Sequence, residues 1–325
     1  MSERREAGIP PRTSDMITFA QARSRTPLLD EVSAPAVVAC SGGPDSLALL
    51  ALAAAASVLP IAVHVDHGLR PGSDREADVV CRAARRLGTR VRAASVQVRA
   101  GSNLEARARD ARYRVLEQLR CELDASTVLV GHTMDDQAET VLLNLMRGAA
   151  ASGLGAMSPL AGTLTRPLLG LRRADTAAIC AQLDLDVVHD PTNDDRTFRR
   201  AWIRHEVLPL LADGAGRDLV PILARQAELF REESAYLDDR ASASWPADHA
   251  RAHDLAALDP VMARRAVRRW LGAPPPRRSE VDAVLAVARG EHRAAQLTGG
   301  RRVWRTAGVM HHEPQRQARD YGVGA

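Results

Sequence analysis

Lysine is missing altogether: all 44 residues counted as Lys or Arg among the 325 are arginine. That absence excludes the phosphate loop ending in Gly-Lys-Ser/Thr, kinases built on a strand lysine, Schiff-base enzymes and Ser-x-x-Lys hydrolases. Aromatics are scarce, with three Phe, three Tyr and four Trp, which argues against a wide base-stacking surface. The four cysteines, Cys40, Cys81, Cys121 and Cys180, lie far apart with no Cys-x-x-Cys pair. A zinc ribbon, an iron–sulfur cluster and a disulfide framework are thereby disfavoured, and a cytoplasmic, reducing setting fits. Residues 1–30 carry Arg4, Arg5, Arg12, Arg23 and Arg25 but no apolar core of a secretory signal. The one membrane-like stretch, Leu47 to Val65, is broken by Ser57 and Pro60, so it reads as a buried helix, a turn and a strand.

What remains is an ordinary globular composition, 46% hydrophobic and 26% charged, long enough for two domains. The formal charge is only +4, but it is unevenly spread. Between Asp259 and Arg305, 11 arginines face four acidic residues. Such a patch suits a polyanion, because each neutralised phosphate releases counterions; a solvated surface is the plainer alternative.

The decisive segment is Ser41-Gly42-Gly43-Pro44-Asp45-Ser46. It lies between a short apolar run, Ala36 to Cys40, and the helix-forming Leu47-Ala48-Leu49-Leu50-Ala51-Leu52. A glycine pair there permits a tight turn with no Cβ to obstruct a ligand. Successive N–H groups and the positive end of the following helix then converge on one spot, which suits a phosphate. Pro44 fits the first helical turn, where its missing donor costs nothing. Further strand-like runs follow at Ile61 to Asp66, Val91 to Val98 and Thr127 to Gly131, with helical spacing between them over 44–57, 74–87 and 103–123. The alternation predicts an α/β fold: a doubly wound parallel sheet with ligand-binding groups at the carboxyl ends of its strands. A second tier runs from Arg166-Pro167-Leu168-Leu169 through a helix over 172–183 to Val187-Val188, then a helix over 198–210 that stops near Pro209. We place a domain boundary at the loop Asp213-Gly214-Ala215-Gly216, giving an N-terminal extension (1–30), a catalytic domain (31–214) and a smaller, mainly helical domain (215–325). In the last we expect a long helix over 217 to about 241, short helices over 259–271 and 278–289, and a β-ribbon around Arg301 to His311.

Three further clusters carry chemistry. In Gly131-His132-Thr133-Met134-Asp135-Asp136-Gln137-Ala138-Glu139-Thr140, Asp136 and Glu139 share a helical face. Magnesium favours a carboxylate or two plus phosphate oxygens, although acids also simply suit a helix N-terminus. In Val63-His64-Val65-Asp66-His67-Gly68, alternation puts His64 and Asp66 on one face and His67 beyond the strand, which favours a nucleotide-pocket loop over a transition-metal site. In Ala106 to Tyr113, Arg109 and Arg112 share a face and form either a phosphate clamp or a solvated, salt-bridged helix.

The ordered set of motifs resembles the tRNA(Ile)-lysidine synthetases of the ATP pyrophosphatase (PP-loop) superfamily. It runs from the glycine loop through Val65-Asp66-His67-Gly68-Leu69-Arg70, Ala108-Arg109-Asp110-Ala111-Arg112-Tyr113 and Gly131 to Leu143. Arg147-Gly148, Gly153-Leu154, Arg166-Pro167-Leu168-Leu169 and Asp190-Pro191-Thr192-Asn193 complete it, over about residues 36–210. The resemblance implies that ATP adenylates the C2 oxygen of the wobble cytidine in a CAU-anticodon isoleucine tRNA. Free L-lysine then attacks C2, AMP leaves and lysidine remains. It further implies that Ser41, Gly42, Gly43, Pro44, Asp45 and Ser46 bind ATP, with Asp66, His67, Gly131 and His132 lining the nucleotide pocket. Asp45 and Asp136 would hold Mg2+ at the reaction centre, Glu139 would meet the lysine ammonium, and Arg109 and Arg112 would steady phosphate; Arg204 completes the catalytic set. One departure is visible: Ala201 stands in Arg200-Ala201-Trp202-Ile203-Arg204 where the family often has asparagine.

A 2-thiocytidine synthetase of the same superfamily would need cysteines placed for sulfur transfer or a cluster. A small-molecule amide ligase has no use for the basic C-terminal region. A non-catalytic tRNA-binding protein need not keep Asp45, Asp136 and Glu139 together. We expect Arg264, Arg265, Arg268 and Arg269 to grip the tRNA backbone. No membrane contact is expected, and a homodimer is left open.

Overall fold

A computed structural model describes residues 17–66, 74–96, 104–189, 195–247, 250–273 and 275–313. His67 and the Asp190–Asp194 turn lie outside the described residues. The chain divides into two compact units, 1–228 and 229–325.

The first unit is built on a six-stranded sheet with the order β3-β2-β1-β4-β6-β5. Its strands are β1 (Ala36–Ala39), β2 (Pro60–Asp66), β3 (Arg90–Ser95), β4 (Val128–Leu129), β5 (Leu160–Ala161) and β6 (Leu164–Thr165). All neighbours are parallel except β5 with β6. The helices are α1 (Phe19–Ser24), α2 (Pro44–Ala54), α3 (Asp74–Arg86), α4 (Leu104–Glu122), α5 (Met134–Met146), α6 (Ala151–Leu154) and α7 (Arg173–Gln182). Pleating explains why both faces are covered. Ala36, Val38 and Cys40 join the core formed with Leu47, Leu50, Val80 and Ile179, while Val37 and Ala39 join Leu116, Val128 and Val130 opposite. Each fully buried Val or Leu here contributes roughly 1.5–3 kcal/mol. β1 is central and wholly buried; the β3 edge, with Arg90 and Arg92, is largely exposed.

The doubly wound expectation holds, and so does the reading of Leu47 to Val65 as helix, turn and strand. Other details differ. The second tier opens with a 3-10 turn at Pro167–Gly170, and the sheet is completed by the short β5–β6 hairpin, which was not expected. The 198–210 helix does not stop at Pro209. It begins as α8 (Arg199–Trp202), passes through a π-helical turn (Ile203–Val207) and continues as α9 (Leu208–Ala215) to Gly216. A proline inside a helix lacks one N–H and its ring crowds the carbonyl four residues back. The wider turn just ahead of Pro209 lets the helix absorb it.

The long helix α10 (Val220–Ser244) contains the division between units, which therefore falls later than the 213–216 loop. The second unit adds α11 (Ala252–Ala257), α12 (Pro260–Leu271), α13 (Arg278–Arg289) and the antiparallel sheet β7 (Ala294–Gln296), β8 (Arg302–Thr306) and β9 (Val309–His312). Its core joins Trp245, Leu255, Val267, Val281, Val284 and Val303. Among the described residues no helix is long and apolar enough to cross a membrane.

Candidate active site

Strand order puts the site where it is. From β1 the chain steps to β2 and β3 on one side, then returns to β4 on the other. The loops leaving β1 and β4 therefore diverge and open a crevice at the carboxyl ends of the strands. Ser41 to Ser46 leave β1, and Gly131 to Asp136 leave β4.

Gly42 has φ +83°, a left-handed conformation that favours glycine, and Val188 closes over it, donating its N–H to the Gly42 carbonyl at 2.9 Å. Gly43 is the N-cap of α2 and supplies no side-chain cap, so the first-turn amides keep donors for an anion. Ser46 Oγ donates to the Gly43 carbonyl at 2.9 Å and accepts from the Ser41 N–H at 3.2 Å, which fixes the loop from inside. The β4 loop passes so close that a Cβ on Gly131 would lie 2.9 Å from the Asp45 carbonyl oxygen and 3.0 Å from its carbon. Gly131→Ala must push the two loops apart, with an expected cost of about 1–3 kcal/mol. A lower melting temperature together with weaker ATP binding, read by calorimetry, is the expected outcome.

Asp45 projects from the first turn of α2. Thr176 Oγ1 donates a hydrogen bond to its Oδ1, and Arg173 Nε lies 3.8 Å from its Oδ2. Burial, aided by the neighbouring carboxylates Asp136 and Asp135, raises its pKa to about 6. Asp136 has two duties. Its Oδ2 accepts from the Thr133 N–H at 2.8 Å, closing a capping box at the start of α5, while its Oδ1 accepts from Arg173 at 2.9 Å. Its pKa is lowered: burial alone would raise it, but Arg173 and the Thr133 amide outweigh that.

Glu139, one turn on, is fully buried. Arg204 reaches it at 2.7 and 3.3 Å, Arg173 at 3.2 Å and Arg200 at 3.9 Å. Glu139 is thus engaged by guanidinium groups rather than left free for an ammonium. The π-helical turn carries Arg204 into this position, and the departure from the family pattern, Ala201, is buried beside it in sequence. Asp135 accepts from Arg172 at two 3.1 Å contacts and from the Arg173 N–H at 2.8 Å, anchoring the start of α7.

Arg172, Arg173 and Thr176 were not singled out from the sequence, and Arg200 was noted only within the Arg200-to-Arg204 run. A signal was present: two arginines at a helix N-terminus oppose the helix dipole, so they need an offsetting acidic partner. A pocket of about 230 Å³ opens beside this cluster, between Asp135, Glu139, Arg173 and Arg204 on one side and Leu208 and Leu219 on the other.

Of the other residues expected to contact the nucleotide, His132 lies in the β4 loop and Arg109 and Arg112 lie on α4. Arg166 Nε donates to His132 Nδ1 at 3.3 Å, and burial pulls the His132 pKa down to about 4, so the ring is neutral at physiological pH. Burial, with Arg109 nearby, also lowers the Arg112 pKa. Arg109 donates to the Tyr113 hydroxyl at 3.3 Å and lies over its ring, 5.1 Å from the centroid. Asp66 ends β2, partly exposed. His64 is buried and makes a 3.0 Å bond from Nδ1 to the Cys40 carbonyl, so it braces the strand that leads into the loop.

A PP-loop domain family matches residues 18–211 of the chain. The tRNA(Ile)-lysidine synthase of Nocardia farcinica is 45% identical over 271 residues, 80% of this chain and 84% of its own. That of Mycolicibacterium paratuberculosis is 47% identical over 239 residues, 72% and 73%. That of Salinispora tropica is 43% identical over 304 residues, 85% and 90%. Among solved structures, a U34-tRNA thiolase from Methanococcus maripaludis with its [4Fe-4S] cluster superposes with a TM-score of 0.53 at 16% identity, covering 66% of this chain and 80% of that one. That likeness supports the fold.

Proposed function

Because the chain belongs to the tRNA(Ile)-lysidine synthases of the PP-loop family, we propose that it is an ATP-dependent ligase joining free lysine to the wobble cytidine of a CAU-anticodon isoleucine tRNA. The observation that carries this reading is the convergence of Asp45, Asp136 and Glu139, from two different helices, beside an uncapped helix N-terminus.

Two steps account for the atoms. The cytidine O2 attacks the α-phosphorus of ATP and pyrophosphate leaves. The lysine amine then attacks C2, losing a proton, and AMP leaves with the former O2. Cytosine O2 is a weak nucleophile, so alignment and charge neutralisation must lower the barrier. The Gly42–Ser46 amides would hold the phosphates, and Arg109 and Arg112 would steady charge on the transferring phosphoryl group. Neutral His132 donates or accepts without adding charge. Mg2+ would neutralise the leaving pyrophosphate. Asp45 and Asp136 fit it, because they offer hard oxygens and a cationic group, Arg173, already lies between them.

The 230 Å³ pocket suits the amino acid. Leu208 and Leu219 could cover its methylenes, and Arg172 and Arg204 its carboxylate. Glu139 is engaged by Arg173 and Arg204, and Asp135 and Asp218 by Arg172, so the ammonium would displace a guanidinium from one of these acids. In the second unit, three of the four α12 arginines expected to grip the tRNA backbone already have partners within the protein. Arg265 donates to Asp238 at 2.7 Å and Arg269 to Ser242 at 2.6 Å, both on α10, and Arg264 lies 3.9 Å from Asp282 on α13, so these three side chains tie α12 to its neighbouring helices. A better RNA-facing group is exposed Arg302 over Trp304 (5.9 Å), whose ring stacks on His311 at 5.5 Å.

A thiolase is not supported, since Cys40 and Cys180 are buried with thiols pushed up to about 12, and Cys81 and Cys121 lie on separate helices, α3 and α4. Purified protein given ATP, labelled lysine and the tRNA should incorporate label and release AMP, not ADP. Asp136→Ala should reduce incorporation at least a thousandfold while filter binding of tRNA survives; unlabelled tRNA with wild-type protein would end the proposal.

A further inference from the structure

We propose that Arg173 is a resident counter-ion that holds the metal position in the ligand-free enzyme and moves onto phosphate when metal and nucleotide enter. The inference rests on reading Asp45 and Asp136 as the metal carboxylates.

Among the described residues, Arg173 is the side chain that reaches all three: Asp45 at 3.8 Å, Asp136 at 2.9 Å and Glu139 at 3.2 Å. Its side chain is about one quarter exposed, whereas that of Glu139 is not exposed at all. The three acids differ in what else supports them. Glu139 keeps Arg204 and Arg200, and Asp136 keeps the Thr133 amide and hydroxyl. Among the described residues, Asp45 keeps the Thr176 hydroxyl as a hydrogen-bond donor to its carboxylate. Asp45 and Asp136 repel each other, so Arg173 is the group that makes their closeness tolerable.

A divalent cation bridging Asp45 and Asp136 would occupy the same space and satisfy the same oxygens. Two cations cannot share that position without strong repulsion. Metal entry therefore requires Arg173 to withdraw, and its fork of donors suits the phosphates arriving at the α2 N-terminus. Free metal must then compete with a tethered guanidinium. Metal accompanied by ATP does not, because the nucleotide offers Arg173 a new anion. The counter-ion thus couples the two ligands and keeps a bare metal from filling the site first.

The test is Mn2+ binding, followed by the electron paramagnetic resonance signal of the free ion, with and without a non-hydrolysable ATP analogue. Wild-type protein should bind Mn2+ weakly alone and at least tenfold more tightly with the analogue. Arg173→Gln, and Arg173→Met as a second neutral variant, should bind Mn2+ alone about tenfold more tightly than wild type and lose most of the nucleotide's enhancement. Arg173→Lys, which keeps the charge, should behave like wild type. Neutral variants that fold but bind Mn2+ no more tightly than wild type overturn the proposal. Should neither neutral variant fold, wild-type crystals soaked with Mn2+ and the analogue decide the matter. Arg173 displaced from Asp45 and Asp136 supports the proposal, and Arg173 still between them with metal bound overturns it. Wild-type protein that binds no Mn2+ even with the analogue would instead sink the assignment of the metal carboxylates.

Discussion

Asp45→Asn should make the protein more stable and catalytically inert. The Asp45 pKa stands at about 6 in the folded chain against an ordinary 3.8, so the fold favours the protonated acid. That preference benefits the native state fully below about pH 4 and is lost as pH rises through 6. At pH 7 the ionised carboxylate costs the fold about 2–3 kcal/mol. Asparagine cannot ionise and can still accept from Thr176. The variant should melt about 5–10 °C higher than wild type at pH 7, and the gap should close as pH falls toward 4. Lysine incorporation should fall at least a thousandfold. Scanning calorimetry of both proteins at several pH values checks the first part; a gap that is absent at pH 7, or that widens in acid, would refute it.

Glu139→Ala should have the opposite effect on stability. It removes the acid that Arg173 and Arg204 both touch and leaves partly buried guanidinium groups without it. Breaking a buried ion pair from one side typically costs 3–5 kcal/mol. Urea unfolding should report a loss of that size, with activity lost as well. Glu139→Gln, which keeps the shape and one acceptor, should lose less. A penalty under about 1 kcal/mol for the alanine variant would mean that this carboxylate is not the anchor of the cluster.

Much of the fold could be read directly from the chain because its period was unambiguous. Ala36 to Cys40 is a short apolar run beside a glycine turn, and α12 and α13 follow the expected bounds within a residue because proline and glycine flank them. The β5–β6 hairpin escaped notice because each strand has two residues, too few for any alternation. The π-helical turn escaped because its cause, accommodation of Pro209, also reads as a helix stop. Within the site, glycines and acids were legible because their chemistry is local. Arg173 and Thr176 were not, because their roles depend on partners that only the tertiary fold brings near.

The pairing of Thr176 with Asp45 joins residues 131 positions apart. A ribosome delivers the glycine turn long before it delivers α7. Until then the nascent chain carries an acid at the head of α2 with neither the hydroxyl nor the guanidinium that completes its surroundings. Nucleotide chemistry can begin only after translation has passed that helix, so an arrested or prematurely terminated product would possess the signature motif and remain inactive.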